Sequence, residues 1–331
     1  MNINFLSRVI LLLTFTSTTY AQSISKLNYL NAATLPFGYK IDDSTLGGLS
    51  GIAYNQHDSL FYMVADKHPA RIFKANIGIA DSHKIEVNFK DVLYISPELI
   101  SRSELEGIAI NKSTGSYYVS DEQDAGTRIM KINRYGEFLR IVQPVNQGFL
   151  PLSAHNAGIE GLTISDDYKH LYYAFERPTS DCSEQNMVTI TQHNLLSGNN
   201  STFYYSLHYV EGDKLNTNGV SEILYENDST LLVLERAFIP GTGNIIRIYQ
   251  ANLDTAPQLN HEDCQVTPVS SKLLFDFSQV KEFAIDNAEG MCFNADKSLL
   301  YLVTDNNFSK KQQTQVVALQ VLPHPKKTIE H

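Results

Sequence analysis

The chain has 331 residues, 43% of them hydrophobic and 19% charged, enough for one large core or two modest domains. With 18 Tyr, 16 Phe and no Trp, the aromatic balance leans towards pleated, half-buried structure. A formal net charge of -10 sets the chain against nucleic acid and anionic membrane; the acidity serves either solubility or a hard cation that takes oxygen ligands.

Arg8, the apolar run Val9-Ile10-Leu11-Leu12-Leu13 and the small-residue stretch ending at Ala21 read as a signal peptide over residues 1–21. The run is too short to span a bilayer, and no Cys follows the expected cleavage after Ala21. A secreted or periplasmic protein is expected, with one domain over residues 22–323 and a frayed tail over 324–331. Leu27-Asn28-Tyr29-Leu30 is a strand near the mature N-terminus.

Five segments then share one plan: Ser50-Gly51-Ile52-Ala53-Tyr54, Glu106-Gly107-Ile108-Ala109-Ile110, Glu160-Gly161-Leu162-Thr163-Ile164, Ser221-Glu222-Ile223-Leu224-Tyr225 and Glu289-Gly290-Met291-Cys292-Phe293. Each is followed by a polar turn and a second apolar run that ends in an acid: Asp66, Asp121 (with Glu122 beside it), Glu176, Glu235 and Asp305. From Ser50, Glu106, Glu160, Glu222 and Glu289 to these acids the steps are 16, 15, 16, 13 and 16 residues. Third strands follow in every unit and fourth strands in the first four; Leu27-Leu30 completes the fifth from the other end of the chain. Four strands per unit, with units starting 54 to 67 residues apart, predict an all-β propeller. Five blades are counted, six being the alternative, with the ring closed by an N-terminal strand joining the last blade.

Three cysteines cannot all pair. Cys292 lies in an apolar strand pattern and reads as a small buried hydrophobe. Cys182 and Cys264 lie in loops and are open to pairing in an oxidising compartment, although this topology puts them on opposite faces. No CxxC, GxSxG, HExxH or glycine-rich phosphate loop occurs. Of the ten His, His155 and His208 come nearest to the mouth loops. Sequons stand at Asn111, Asn200, Asn227 and Asn307.

In a propeller, the residue before the first strand and the residue ending the second share one face. Glu106, Glu160, Glu222 and Glu289 should therefore converge near the axis, ringed by Asp66, Asp121, Glu122, Glu176, Glu235 and Asp305. Carboxylates so crowded raise one another's pKa or require a cation, and carboxylates with carbonyls and waters suit Ca²⁺. Glu106, Glu160, Glu222, Glu289, Asp66, Asp121, Glu176, Glu235 and Asp305 are the candidate metal ligands. Glu160, Glu222 and Glu289 are the candidates for acid–base work. Lys67, Arg177 and Arg236, each following an acid, are candidates for binding an anionic ligand, with Arg102 and Lys214 preceding two of the glutamates. The structural alternative for each acid is a strand-end acceptor of loop N–H groups.

At Leu49-Ser50-Gly51-Ile52-Ala53, Glu104-Leu105-Glu106-Gly107-Ile108-Ala109, Asn156-Ala157-Gly158-Ile159-Glu160-Gly161-Leu162, Gly219-Val220-Ser221-Glu222-Ile223-Leu224, Leu232-Val233-Leu234-Glu235-Arg236 and Asp286-Asn287-Ala288-Glu289-Gly290-Met291 the chain resembles the phytase-like domain family, described as having esterase-like activity of phytase. The resemblance spans nearly the whole mature chain. It departs at Ser50, which stands where Glu is found in the other units. It implies an exported propeller and, by analogy with calcium-dependent propeller phytases, phosphoester hydrolysis on a small anionic, phosphorylated substrate. The expectation is a monomeric, Ca²⁺-dependent phosphoester hydrolase. A non-catalytic propeller that binds a ligand or partner and a calcium-dependent lactonase are the alternatives.

Overall fold

The structure, a computed structural model, describes residues 23–81, 83–96, 104–123, 126–142, 158–178, 186–208, 210, 217–255 and 267–324. The signal peptide, Cys182, Cys264, Arg102, Lys214, His155 and residues 325–331 lie outside the described residues. Strand β1 (Ile24–Leu35) is followed by a short hairpin, β2 (Lys40–Ile41) and β3 (Ser44–Thr45). Blade 1 is β4 (Leu49–Asn55), β5 (Leu60–Ala65), β6 (Arg71–Ile79) and β7 (Ile85–Tyr94). Blade 2 is β8 (Glu104–Asn111), β9 (Ser116–Gln123), β10 (Gly126–Ile132) and β11 (Phe138–Ile141). Blade 3 is β12 (Ile159–Ile164), β13 (His170–Phe175), β14 (Met187–Asn194) and β15 (Asn200–Ser206). Blade 4 is β16 (Gly219–Asn227), β17 (Thr230–Ile239), β18 (Gly243–Asn252) and β19 (Ser270–Asp276). Blade 5 is β20 (Asn287–Phe293), β21 (Leu299–Asp305) and β22 (Thr314–Pro323), with β1 as its outermost strand.

The expected five-bladed, all-β propeller is therefore present. Strand β1 runs antiparallel to β22 from Ile24↔Pro323 to Leu35↔Thr314, so strands from both ends of the chain close the ring. This pairing leaves no blade to be joined by loops alone. Just past β22, the His324 N–H donates to Ser23 O at 2.9 Å.

Inner strands read as nearly continuous apolar runs because both of their faces are covered. The apolar side chains sort into five clusters, one in each seam between neighbouring blades. Leu234, Ile248, Leu302 and Leu319 pack in the seam of blades 4 and 5. Tyr172, Tyr205, Ile223 and Tyr249 pack in that of blades 3 and 4. Each such side chain contributes about 1.5–3 kcal/mol on burial. Inner hairpins on the far face turn on side-chain acceptors: Asn55 Oδ1 takes the His57 N–H at 3.1 Å, and Asn111 Oδ1 takes that of Ser113 at 3.1 Å. Among the described residues no helix is long and apolar enough to cross a membrane.

One irregularity recurs in all five blades. Each inner strand carries a β-bulge near its start: between Leu49 and Gly51, Leu105 and Ile108, Ile159 and Gly161, Val220 and Glu222, and Ala288 and Gly290. A bulge adds one residue and re-aims its side chain. Here it turns one residue per blade towards the axis, which creates the site.

Candidate active site

The bulges fix which residues are equivalent. The inner ring is Ser50, Glu106, Glu160, Ser221 and Glu289, each followed by a close-packed position: Gly51, Gly107, Gly161, Glu222 and Gly290. A Cβ at Gly161 would stand 2.8 Å from the Ile223 nitrogen, so glycine lets neighbouring inner strands touch. Glu222 was expected to belong with Glu106, Glu160 and Glu289. Its register instead puts it in the glycine row, and Ser221 takes the mouth position of blade 4.

Glu222 acts as a plug. Inner strands have one unpaired edge that faces the channel, and its N–H groups need acceptors. Glu222 Oε1 accepts the N–H of Leu162 at 3.0 Å and of Ile223 at 2.9 Å, and the carboxyl also takes that of Met291. It is 1% exposed, and burial pushes its pKa well up against the lowering effect of these donors. Beyond it lies a cavity of about 100 Å³ that Ile108, Leu162 and Cys292 line together with Lys112, Asp166 and Lys297. Cys292 is buried there, as its strand pattern predicts, and burial pushes its thiol up to about 12.

The outer ring comes from the ends of the second strands. The residue paired with the one before each bulge is Ala65, Asp121, Phe175, Glu235 or Thr304. The next residue on each strand faces the mouth: Asp66, Glu122, Glu176, Arg236 and Asp305. Side chains alternate between faces along a strand, so Asp121 and Glu235 do not join the mouth group. Asp121 is fully buried and ion-paired with Arg128 Nε at 2.7 Å. Glu235 turns into the seam of blades 3 and 4, where Tyr205 Oη and His208 Nδ1 each lie 2.7 Å from its Oε1.

The mouth thus gathers Glu106, Glu160, Glu289, Asp66, Glu122, Glu176 and Asp305. Burial raises Glu106 well above the ordinary carboxyl range, helped by the charges of Glu160, Glu289, Asp66 and Glu122. Burial likewise raises Glu160, with Glu176, Glu289 and Glu122 adding to it and Arg236 opposing. Glu289 is pushed up to about 7 by burial against the pull of Arg236. Asp305 is pushed up to about 8 by burial and then by Glu289 and Asp66. Asp66 Oδ1 is buried without a hydrogen-bond partner. It fills the space beside Gly48, whose φ of +65° and missing Cβ admit it.

Arg236 is the central cation. Nη1 donates to Glu289 at 2.8 Å and to Asn287 Oδ1, and Nη2 lies 3.3 Å from Glu176 Oε1. Burial works to lower its pKa, and Glu289, Glu176, Glu160 and Asp305 outweigh that and raise it. Asn287 Nδ2 also donates to Glu289 at 2.7 Å. The other two expected cations stand at the rim. Lys67 Nζ lies 3.3 Å from Asp66 and 3.6 Å from Glu104, and Arg177 Nε lies 3.4 Å from Glu176. Sequence reasoning missed Ser221 and Asn287. Counting back from Arg236 by the common step of about 16 residues finds the first, since Ser221 lies 15 residues before Arg236.

These carboxyls form a donor set of hard oxygens that is short of positive charge, and Asp66 Oδ1 is an acceptor without a donor. That chemistry fits a hard divalent cation. Among the described residues, no three His, Cys, Asp or Glu side chains already stand as a ligand shell, so the carboxyls would have to close on the ion.

The sequence matches the phytase-like family, described as "Esterase-like activity of phytase", over residues 44–308, a span that holds every mouth residue named above. The chain belongs to the phytase-like family. No curated protein matches this phytase-like chain. Among solved structures it is similar to a thermostable family-43 glycoside hydrolase, at 12% identity and TM-score 0.49, covering 88% of this chain and 98% of that one. It is also similar to a duf4221-family protein from Bacteroides vulgatus, at 10% identity and TM-score 0.44, covering 91% and 98%.

Proposed function

We propose that this phytase-like chain is an exported hydrolase of phosphate esters that works at the carboxylate mouth with a bound divalent cation, Ca²⁺ being favoured by the all-oxygen donor set. The observation that carries this reading is the group Glu106, Glu160, Glu289 and Asp305, four carboxyls driven upward around one opening beside the unpartnered Asp66 Oδ1. Those five residues would hold the cation. When bound, it supplies Lewis-acid polarisation of a phosphoryl oxygen and a lowered pKa for a neighbouring water.

The chain's own groups divide the remaining work. Arg236 is held in place by Glu176, Asn287 and Glu289 and offers a fixed positive charge to the phosphoryl oxygens. Lys67 and Arg177 extend that positive field to the rim. Glu160, raised by burial and by the charges of Glu176, Glu289 and Glu122, is among the carboxyls whose crowding a bound cation would relieve. Glu222 closes the floor of the mouth and keeps the site apart from the channel below.

The test is to melt and assay the secreted protein with Ca²⁺ and with a chelator, against phosphomonoesters, phosphodiesters and lactones. A cation that binds only the folded form stabilises it by about 2.7 kcal/mol at a hundredfold excess over its Kd. Calcium should raise the melting temperature, and Glu160→Gln should weaken that response and lower turnover of the phosphate ester. If calcium changes neither melting nor turnover, the acids are structural and the ligand-binding alternative replaces the hydrolase.

A further inference from the structure

Glu235 and His208, both singled out in the sequence, are not used by the mouth. His208 follows β15 in blade 3, and its imidazole crosses the seam to blade 4. Nδ1 lies 2.7 Å from Glu235 Oε1, with Tyr205 Oη 3.4 Å from the same nitrogen. On the other side of the ring, Nε2 lies 3.2 Å from Ser271 Oγ on β19. The ring lies flat on Tyr249, with centroids 3.7 Å apart and planes within 5°. Glu235 is 2% exposed and is fixed further by the Tyr205 hydroxyl at 2.7 Å, the His208 N–H at 3.2 Å and Asn218 Nδ2 at 3.3 Å. The imidazole keeps a third of its side-chain surface open, 33%, and Ser271 is half-buried. A carboxylate, an imidazole and a hydroxyl thus stand in line, with the carboxylate on Nδ1 and the hydroxyl on Nε2. That is the constellation by which a hydroxyl becomes a nucleophile, recognised by geometry rather than by sequence order.

We propose that the seam of blades 3 and 4 carries a second, cation-independent hydrolytic centre, with Ser271 as nucleophile, His208 as general base and Glu235 as the positioning residue, acting on carboxylic esters. Glu235 draws the imidazole proton to Nδ1 and leaves Nε2 as the acceptor. Ser271 Oγ attacks the ester carbonyl carbon while its proton passes to Nε2. The tetrahedral adduct collapses, the C–O bond to the alcohol breaks, and the Nε2 proton leaves with the alcohol. Water then adds to the acyl-serine, gives its proton to Nε2, and releases the acid as the Ser271 hydroxyl regains that proton. No electrons are exchanged and no co-reactant other than water is used. Tyr249 holds the imidazole plane, so the ring need not reorganise between the two half-reactions.

The experiment treats the mature protein, in excess chelator, with a fluorophosphonate probe and separately with p-nitrophenyl acetate. The expected result is a phosphonyl adduct on the peptide carrying Ser271, with ester hydrolysis indifferent to chelation. Ser271→Ala should abolish both. His208→Gln should slow labelling by about 10²-fold or more. Glu235→Asp should retain more labelling than Glu235→Gln, a ranking that melting temperature alone would not produce. The proposal is overturned by absence of adduct on Ser271 in protein that melts cooperatively, by hydrolysis unchanged in Ser271→Ala, or by labelling that requires calcium. The last outcome would assign the ester chemistry to the mouth. Ser271→Ala removes one half-buried oxygen, so the test does not depend on a variant that fails to fold.

Discussion

Blades 3 and 4 share one four-stranded plan and carry opposite chemistry. Both bulge at the same place and send one inner and one outer residue to the mouth. Blade 3 sends Glu160 and Glu176 there, with Gly161 between the inner strands. Blade 4 sends Ser221 and Arg236, and puts Glu222 where the glycine would be. The ring needs the difference. Five copies of blade 3 would crowd carboxylates with only rim cations such as Arg177 as counter-charge and would leave the inner N–H groups of Leu162, Ile223 and Met291 without the Glu222 acceptor. Arg236 sits between Glu176 of blade 3 and Glu289 of blade 5, so one substitution in the repeat bridges both neighbours. The repeat specifies the frame, and the blade that departs from it makes the frame tolerable.

The largest effect should come from removing that departure. Arg236→Met leaves Glu289 buried without its cation and Glu176 with Arg177 alone, and losing one partner of a buried pair costs about 3–5 kcal/mol. We expect a large drop in melting temperature at pH 8, much of it recovered at pH 5, where Glu289, already raised by burial, takes up a proton. An Arg236→Met melting curve equal to wild type at pH 8 would show that the blades are not coupled through this residue.

Next in size is Glu222. Glu222→Ala orphans the N–H groups that it now accepts, and each buried unsatisfied group costs about 1–3 kcal/mol. Glu222→Gln keeps an acceptor oxygen at the same place. Because burial already pushes this carboxyl upward, losing its charge costs little. Chemical denaturation should rank wild type close to Gln and well above Ala. If Gln is as damaging as Ala, the ionised carboxylate and not its acceptor role is what the throat needs.

A smaller, pH-dependent effect separates the mouth of blade 5 from ordinary surface acids. Glu289 at about 7 and Asp305 at about 8 bind protons more tightly in the folded chain than ordinary glutamate and aspartate carboxyls at 4.5 and 3.8. With folded values raised, their stabilisation is complete below about pH 4 and is lost as pH climbs through 7 and 8. Without cation, the melting temperature should therefore fall between pH 5 and pH 8.5. Calcium should flatten that slope, because a bound cation displaces the protons. A flat profile in chelator would mean that these acids are solvated and uncoupled.

The same comparison explains what the sequence could reveal. The repeat of apolar run, polar turn and apolar run gave all five blades and the closing strand at Leu27-Leu30, because strand period and turn chemistry are local. Glu106, Glu160 and Glu289 were legible because each precedes a glycine at a constant step from the next acid. Asp121 and Glu235 were misplaced because two neighbouring residues on a strand face opposite ways, and only the register of the bulge decides which one meets the axis. The steps of 15 and 13 residues were the trace of that error. Moving one residue to Glu122 restores 16, and pairing Ser221 with Arg236 gives 15. The link between His208 and Ser271 could not be read at all, since it joins residues 63 positions apart on different blades.

The smallest effect tests whether the two serines of the inner ring merely take the place of glutamate. Ser50 in blade 1 donates to Leu105 O, and Ser221 in blade 4 donates to Ala288 O at 3.0 Å. Each acceptor is the residue just before a mouth glutamate of the next blade, Glu106 or Glu289. A serine at the bulge therefore does across the seam what a glutamate cannot, since the longer side chain goes to the mouth. It fixes the bulge from which the neighbouring glutamate projects. Ser221→Ala removes one buried hydrogen bond and leaves the Ala288 carbonyl short of a partner, for a loss of about 1 kcal/mol. Stability measures that loss, but the sharper reading is calcium affinity. If Ser221 aims Glu289, the Ala variant should bind calcium more weakly than its small loss of stability accounts for, and Ser50→Ala should do the same through Glu106. Equal calcium affinity in both variants would mean that the serines only fill the positions that charge balance keeps free of glutamate.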